Sequence, residues 1–243
     1  MNRLKKFIAR KARKIVLADK YFKINPTSKY IHKHALPGAT LAPWLADFEF
    51  MNIYEKIKLF TLVDIYRCYE LWSIAKQTEN IDGDILEVGV WRGGTGAIIA
   101  KAAQSKQVFL ADTFSGVVKT STKDPSYSGG EHSDTSIQLV ENLITSLDLK
   151  NISLLQGIFP DTTGDLFTEK VALLHCDVDV YESAKDIVEW ALPKLSIGSV
   201  IVFDDYGFSS CEGITEFCDE LRHNKNFKFI HNINGHAIFI RIL

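Results

Sequence analysis

Two acidic runs stand out, each directly after an apolar, β-rich segment: His175-Cys176-Asp177-Val178-Asp179-Val180-Tyr181-Glu182, and Val200-Ile201-Val202-Phe203-Asp204-Asp205-Tyr206-Gly207. Carboxylates brought together at neighbouring strand ends repel one another unless a cation or a basic group sits among them. A divalent metal answers that need, and oxygen-only ligands select Mg2+, Ca2+ or Mn2+ over Zn2+. The competing reading has Asp204 and Asp205 capping the next helix while Asp177 or Asp179 pairs with Arg92 or Lys185. A third run, Glu87-Val88-Gly89-Val90-Trp91-Arg92-Gly93-Gly94-Thr95-Gly96, combines glycines that let backbone approach a ligand closely with a following helix that offers free N–H groups. A fourth, Ala111-Asp112-Thr113-Phe114-Ser115-Gly116, places a carboxylate where a ribose diol can donate to it. The dinucleotide pattern GxGxxG is absent, which disfavours pyrophosphate binding.

Such residues act together only if the chain carries them to one edge of a sheet. Strands are expected at 85–88, 107–111, 152–155, 171–176, 199–203, 227–231 and 237–242, with helices over 94–104, 133–147, 182–195 and 211–224. Alternation of this kind requires crossover connections and a mostly parallel sheet with helices on both faces. The last two strands are separated only by turn-forming Asn232, Asn234 and Gly235, so they form an antiparallel hairpin. The expected fold is therefore α/β and Rossmann-like, with a seven-stranded sheet, a C-terminal hairpin and an N-terminal helical extension. That is the architecture of class I methyltransferases. Ligands of such sheets gather at the carboxyl ends of the strands, where all four runs lie.

The chain has 243 residues, 46% of them hydrophobic, and a formal net charge of -2. This excludes disorder throughout and argues against nucleic acid as a partner, which needs a clustered positive field. No apolar run approaches the roughly 20 residues of a membrane span, and the composition suggests a cytoplasmic protein. Cys68, Cys176, Cys211 and Cys218 form no CxxC pair and read as small buried apolar residues. The N-terminal segment is the exception to the even charge balance: Arg3, Lys5, Lys6, Arg10, Lys11, Arg13, Lys14 and Lys20 face only Asp19 among apolar residues. It reads as a basic amphipathic helix that packs against the body or a subunit, in preference to an anionic membrane. An extended connector containing Pro26, Pro37, Gly38 and Pro43 follows, then one or two helices between Phe48 and about Thr78.

Taken together, the stretches at 83–94, 111–116, 157–162, 177–183 and 193–207 resemble the macrocin O-methyltransferase (TylF/MycF) family of S-adenosylmethionine-dependent enzymes. The resemblance implies a sulfonium cofactor held by Glu87, Gly89, Val90, Trp91 and Gly93, by Asp112, Thr113 and Phe114, and by Asp161 and Asp177. It implies Mg2+ at Asp177, Asp204 and Asp205, chelating adjacent hydroxyls of a sugar or glycoside, in a homo-oligomer whose residues 1–80 cover the methyltransferase domain at 81–243. The general base is read as His132, in the polar loop 124–136, or Asp179. His34, His231 and His236 receive no role. Trp91, Phe114, Phe159, Tyr181 and Tyr206 are pocket candidates, most of them expected in the core. The competing functions are a nicotinamide-dependent sugar-modifying oxidoreductase, lacking the right glycine spacing and a Tyr-x-x-x-Lys pair, and a binding module without catalysis.

Overall fold

The computed structural model describes residues 3–36 and 39–243. Pro37 and Gly38 of the expected connector lie outside the described residues. The chain divides into two compact units, Met1–Pro43 and Trp44–Leu243.

In the first unit, α1 (Arg3–Leu17) leads into an extended segment closed by a single bridge, in which Phe22 and His32 each donate a backbone N–H to the other's carbonyl at 2.8 and 2.9 Å. His34 Nδ1 stands 2.9 Å from Asp19 Oδ2.

The second unit opens with α2 (Phe48–Ile57) and α3 (Ile65–Gln77), each started by an aspartate whose side chain accepts from first-turn N–H groups, Asp47 from Phe50 and Asp64 from Tyr66 and Arg67. Asp47 also accepts from Trp72 Nε1 at 2.9 Å, tying the two helices together. The boundary expected near residue 80 therefore falls inside this unit, because α2 and α3 share one core with the sheet.

The sheet comprises β1 (Asp84–Val88), β2 (Val108–Asp112), β3 (Ile152–Gln156), β4 (Val171–Cys176), β5 (Leu195–Phe203), β6 (Phe227–His231) and β7 (Ala237–Arg241), in the order β3-β2-β1-β4-β5-β7-β6. All neighbours are parallel except β7, which runs antiparallel to both β5 and β6. The seven strands and the terminal hairpin match the expectation. One face buries α6 (Tyr181–Ala191) and α7 (Glu212–Leu221), the other α2, α3, α4 (Gly94–Ala102) and α5 (Ile137–Ser146). Buried on both faces, β1 and β4 carry apolar side chains toward each, with Ile85 on one side and Leu86 on the other.

All four helices that follow β1 are shorter than their sequence pattern. Ser136 caps α5 by accepting from Leu139 N, so residues 133–136 remain loop. The α6 helix stops at Ala191, and Pro193, two residues on, has no backbone N–H with which to continue it. All four cysteines are free and buried. Among the described residues no helix is long and apolar enough to cross a membrane.

Candidate active site

Register places the acidic runs side by side. Cys176 of β4 lies opposite Val88 of β1 and Phe203 of β5. The next residues leave the sheet together: Asp177 N donates to Val88 O at 2.9 Å and Asp204 N to Cys176 O at 3.0 Å. Asp205 follows with a φ of 64° and Asp179 with a φ of 65°, both left-handed. Carboxylate oxygens of Asp177, Asp204 and Asp205 come within 4.8 Å of one another.

The three carboxylates differ electrostatically. Burial, then the charges of Asp204, Asp205 and Asp179, push the Asp177 carboxyl well above the ordinary range. Burial, followed by Asp204 and Asp179, does the same to Asp205. Burial also acts on Asp204, but His236 and Arg67 outweigh it and hold that carboxyl below its usual value. His236 Nε2 stands 2.8 Å from Asp204 Oδ1, and Arg67 Nη1 donates to Oδ2. One acid is thus compensated and two face mainly negative neighbours. A hard cation relieves that repulsion, so the oxygen donor set fits Mg2+.

Arg67 and His236 were not legible as site residues. Arg67 is buried on α3, aimed by Asp64 through Nε at 2.9 Å and stacked over Phe208, 4.9 Å from its ring centroid. Its only sequence signal is the Asp64–Arg67 spacing beside the apolar stripe. His236, assigned no role from sequence, is fully buried in the β6–β7 turn, with Nδ1 2.6 Å from Glu70 Oε2. The partners Arg92 and Lys185 proposed for the acids are not those found: Arg92 pairs with Asp134 at 2.6 Å.

A cavity of about 300 Å3 opens beside the cluster, at the point between β1 and β4 where the strand order reverses. Gly89, Val90 and Trp91 line it, with Asp112, Thr113, Asp177, Asp179, Asp204 and Asp205. Gly89 is required there, because its φ is +88° and an added Cβ would lie 1.6 Å from the Asp177 carbonyl oxygen. Asp112 holds the loop rather than waiting empty: Oδ2 accepts from Val90 N and Trp91 N at 2.7 and 2.9 Å, and Oδ1 from Phe114 N at 2.6 Å. An ionised carboxylate offers about four acceptor directions, so Oδ1 retains capacity for a hydroxyl.

Four expected cofactor residues are off the cavity wall. Glu87 is fully buried and bonded to His175 Nδ1 at 2.8 Å, because alternation along β1 turns it under the loop. Gly93 sits at the start of α4 with a φ of +87°, packed against Val140. Phe114 is a core residue. Asp161 pairs with Lys119 at 2.8 Å. Of the other aromatic candidates, Trp91 and Phe159 reach the wall, whereas Tyr181 and Tyr206 are core.

The loop between β2 and α5 closes one side. Asp124, buried within it, accepts from Tyr181 N at 2.9 Å and from Ser121 N and Oγ at 3.0 and 2.8 Å, pinning the loop to the start of α6. Tyr127 donates to Asp179 Oδ1 at 2.7 Å, and His132 Nε2 lies 3.9 Å from Asp179 Oδ2. Both histidine and aspartate line the cavity.

Comparison with known proteins fits this geometry. The Macrocin-O-methyltransferase (TylF) family matches residues 60–242. The chain belongs to that family. Among its macrocin O-methyltransferase relatives, the mycinamicin III 3''-O-methyltransferase of Micromonospora griseorubida is 30% identical over 158 residues, covering 58% of this chain and 62% of the relative. The demethyldecarbamoylnovobiocin O-methyltransferase of Streptomyces niveus is 30% identical over 187 residues, 70% of this chain and 68% of that one. The match thus spans under two thirds of the mycinamicin enzyme and slightly more of the novobiocin enzyme. The structure of the O-methyltransferase NovP superposes with a TM-score of 0.67 at 24% identity, over 76% of this chain and 83% of that one, a likeness of fold. The family match includes Arg67 and His236 as well as the four acidic and glycine-rich runs.

Proposed function

We propose that the protein is a Mg2+-dependent, S-adenosylmethionine-using O-methyltransferase acting on a hydroxyl of a sugar or another vicinal diol in natural-product or polysaccharide biosynthesis. The observation that carries this reading is the convergence of Asp177, Asp204 and Asp205 beside the cavity at the strand-order switch, in a chain of this family. The names of the mycinamicin relative and of the Streptomyces olivaceus tetracenomycin-C 4'-O-methyltransferase, a rhamnosyl-bearing case, support a glycoside acceptor.

Methyl transfer is an in-line displacement, so alignment of acceptor oxygen, methyl carbon and sulfur is worth up to ~7–11 kcal/mol. S-adenosylmethionine supplies the electrophilic methyl group, and Mg2+ supplies Lewis acidity toward the acceptor hydroxyl. The loop Gly89–Trp91 and Asp112 would hold the nucleoside, with Asp112 Oδ1 the acceptor left for a ribose hydroxyl. Asp177, Asp204 and Asp205 would hold the cation, while Arg67 and His236 keep Asp204 ionised and fixed. His132 Nε2 takes the acceptor's proton, and Asp179 stabilises the imidazolium from 3.9 Å, a contribution of roughly 10²–10⁴-fold. Thr61, Leu62 and Val63, from the segment between α2 and α3, and Val117 and Phe208 line the cavity.

Calorimetric titration with S-adenosylhomocysteine tests the cofactor, with NAD as the contrasting ligand. Binding of the first is expected; a response to NAD alone overturns the reading in favour of an oxidoreductase. Asp204→Asn together with Asp205→Asn is expected to abolish Mg2+-dependent turnover with cofactor affinity nearly unchanged, and undiminished turnover overturns the metal assignment.

A further inference from the structure

Charge is divided unequally along the chain. The segment 1–43 carries eleven Lys and Arg against the single acid Asp19, leaving seventeen Lys and Arg against 29 acids in residues 44–243. A chain near neutrality overall is therefore a strongly basic unit joined to a strongly acidic one.

The basic unit also presents apolar surface. On α1, Phe7, Ile8 and Ile15 are 58%, 56% and 72% exposed, and in the segment that follows Tyr21 is 72% exposed. At 100° per residue, Ile8, Ala12, Ile15 and Val16 fall on one side of the helix, and Lys6, Arg10, Arg13 and Lys14 on the other. The helix contains no acidic residue. Lys11 Nζ stands over the Phe7 ring, 5.2 Å from its centroid, so cationic and apolar surface adjoin on this helix.

A 15-residue helix is marginal in water on its own and gains stability when its apolar face meets a surface. The surface that matches both faces is apolar beneath and negative at its boundary. A protein groove matches the first property without requiring seven cations on the rim. We propose that α1 lies in the plane of an anionic phospholipid bilayer, its Ile8–Ile15 face in the headgroup and acyl boundary and its Lys and Arg side chains among anionic headgroups. The acidic remainder of the chain is repelled by the same surface, so docking is oriented, with the basic unit toward the bilayer.

The test is flotation of the full-length protein with vesicles of phosphatidylcholine alone and of equal parts phosphatidylcholine and phosphatidylglycerol. Co-flotation is expected with the anionic vesicles only, and release is expected at high salt. Lys6→Gln with Lys14→Gln removes two charges and is expected to weaken partitioning roughly 25-fold, about fivefold per charge. Ile8→Asp with Ile15→Asp is expected to abolish it. Melting curves of both variants are expected to overlay the wild type, which separates lost docking from lost fold. Failure to float with anionic vesicles, equal flotation on phosphatidylcholine, or wild-type flotation of either variant overturns the proposal. So does a drop in oligomer mass in the Ile8, Ile15 variant with lipid binding intact, which assigns the face to a second copy of the chain.

Discussion

Arg67 on α3 and Asp204 at the end of β5, 137 residues apart, form a buried ion pair inside the carboxylate cluster. Removing one partner of such a pair strands the other charge in a poorly solvated place, at a cost of about 3–5 kcal/mol. Arg67→Met is therefore expected to lower the melting temperature by on the order of 10 °C. Arg67→Lys is expected to recover little, because one ammonium cannot reproduce the fork to Asp64 and Asp204. Thermal melts of both variants check this, and a Lys variant as stable as wild type contradicts it.

The raised carboxyls predict an inverted stability effect. For a group whose folded pKa exceeds its unfolded value, the stabilising contribution is complete below the unfolded pKa and is lost as pH rises through the folded one. Asp177 and Asp205 belong to this class. At neutral pH the metal-free Asp205→Asn protein is therefore expected to melt a few degrees above wild type. Mg2+ at about 100 times its dissociation constant adds roughly 2.7 kcal/mol to wild type, and little is expected for the variant. Calorimetric scans with and without Mg2+ decide it. A variant that melts lower, or an equal Mg2+ shift in both proteins, runs against the electrostatic account.

Two glycines with nearly the same backbone angle should behave very differently. Gly89, at a φ of +88°, has the Asp177 carbonyl oxygen 1.6 Å from where its Cβ would stand, whereas Gly207, at +86°, has nothing within 4 Å. Gly207→Ala bears only the left-handed backbone strain, about 1–2 kcal/mol. Gly89→Ala must also push β1 and β4 apart, and is expected to cost more than about 4 kcal/mol and to lose S-adenosylhomocysteine binding. Melts and calorimetry of the pair make the comparison.

Asp124→Ala removes the acceptor that pins the 116–135 loop to Tyr181 N, leaving a buried N–H unsatisfied at about 1–3 kcal/mol. Faster trypsin cleavage after Lys119 or Lys123 is expected. A roughly tenfold fall in kcat/KM for the acceptor should accompany it, since misplacing positioned groups is costly to rate. Cofactor affinity is expected to stay near wild type, because Asp124 lies off the Gly89–Asp112 wall. Unchanged proteolysis counts against the pin.

The sequence by itself determined the alternation of strands and helices, the closing hairpin and the acidic and glycine-rich ends of β1, β2, β4 and β5. These are local patterns: the period of apolar residues sets the element type, and in a parallel sheet the residue after a strand lies at the ligand-binding edge. The acidic runs after β4 and β5 were legible too, although the choice of Asp177, Asp204 and Asp205 among their carboxylates came from the family resemblance. Their separation could not be read there. It follows from the pairing of Cys176 with Phe203, which levels the two strand ends. Nor was it legible that Glu87 turns beneath the loop to His175, or that Asp112 spends most of its acceptor capacity on backbone N–H groups. Least visible were Arg67 and His236, which reach the cluster from α3 and from the hairpin turn, and Glu70, which holds His236 from behind. Side chains that meet across a core carry no shared period along the chain, and whether a charge is compensated depends on what burial brings beside it. Only the tertiary structure decided which acid would be paired and which two would face mainly negative neighbours.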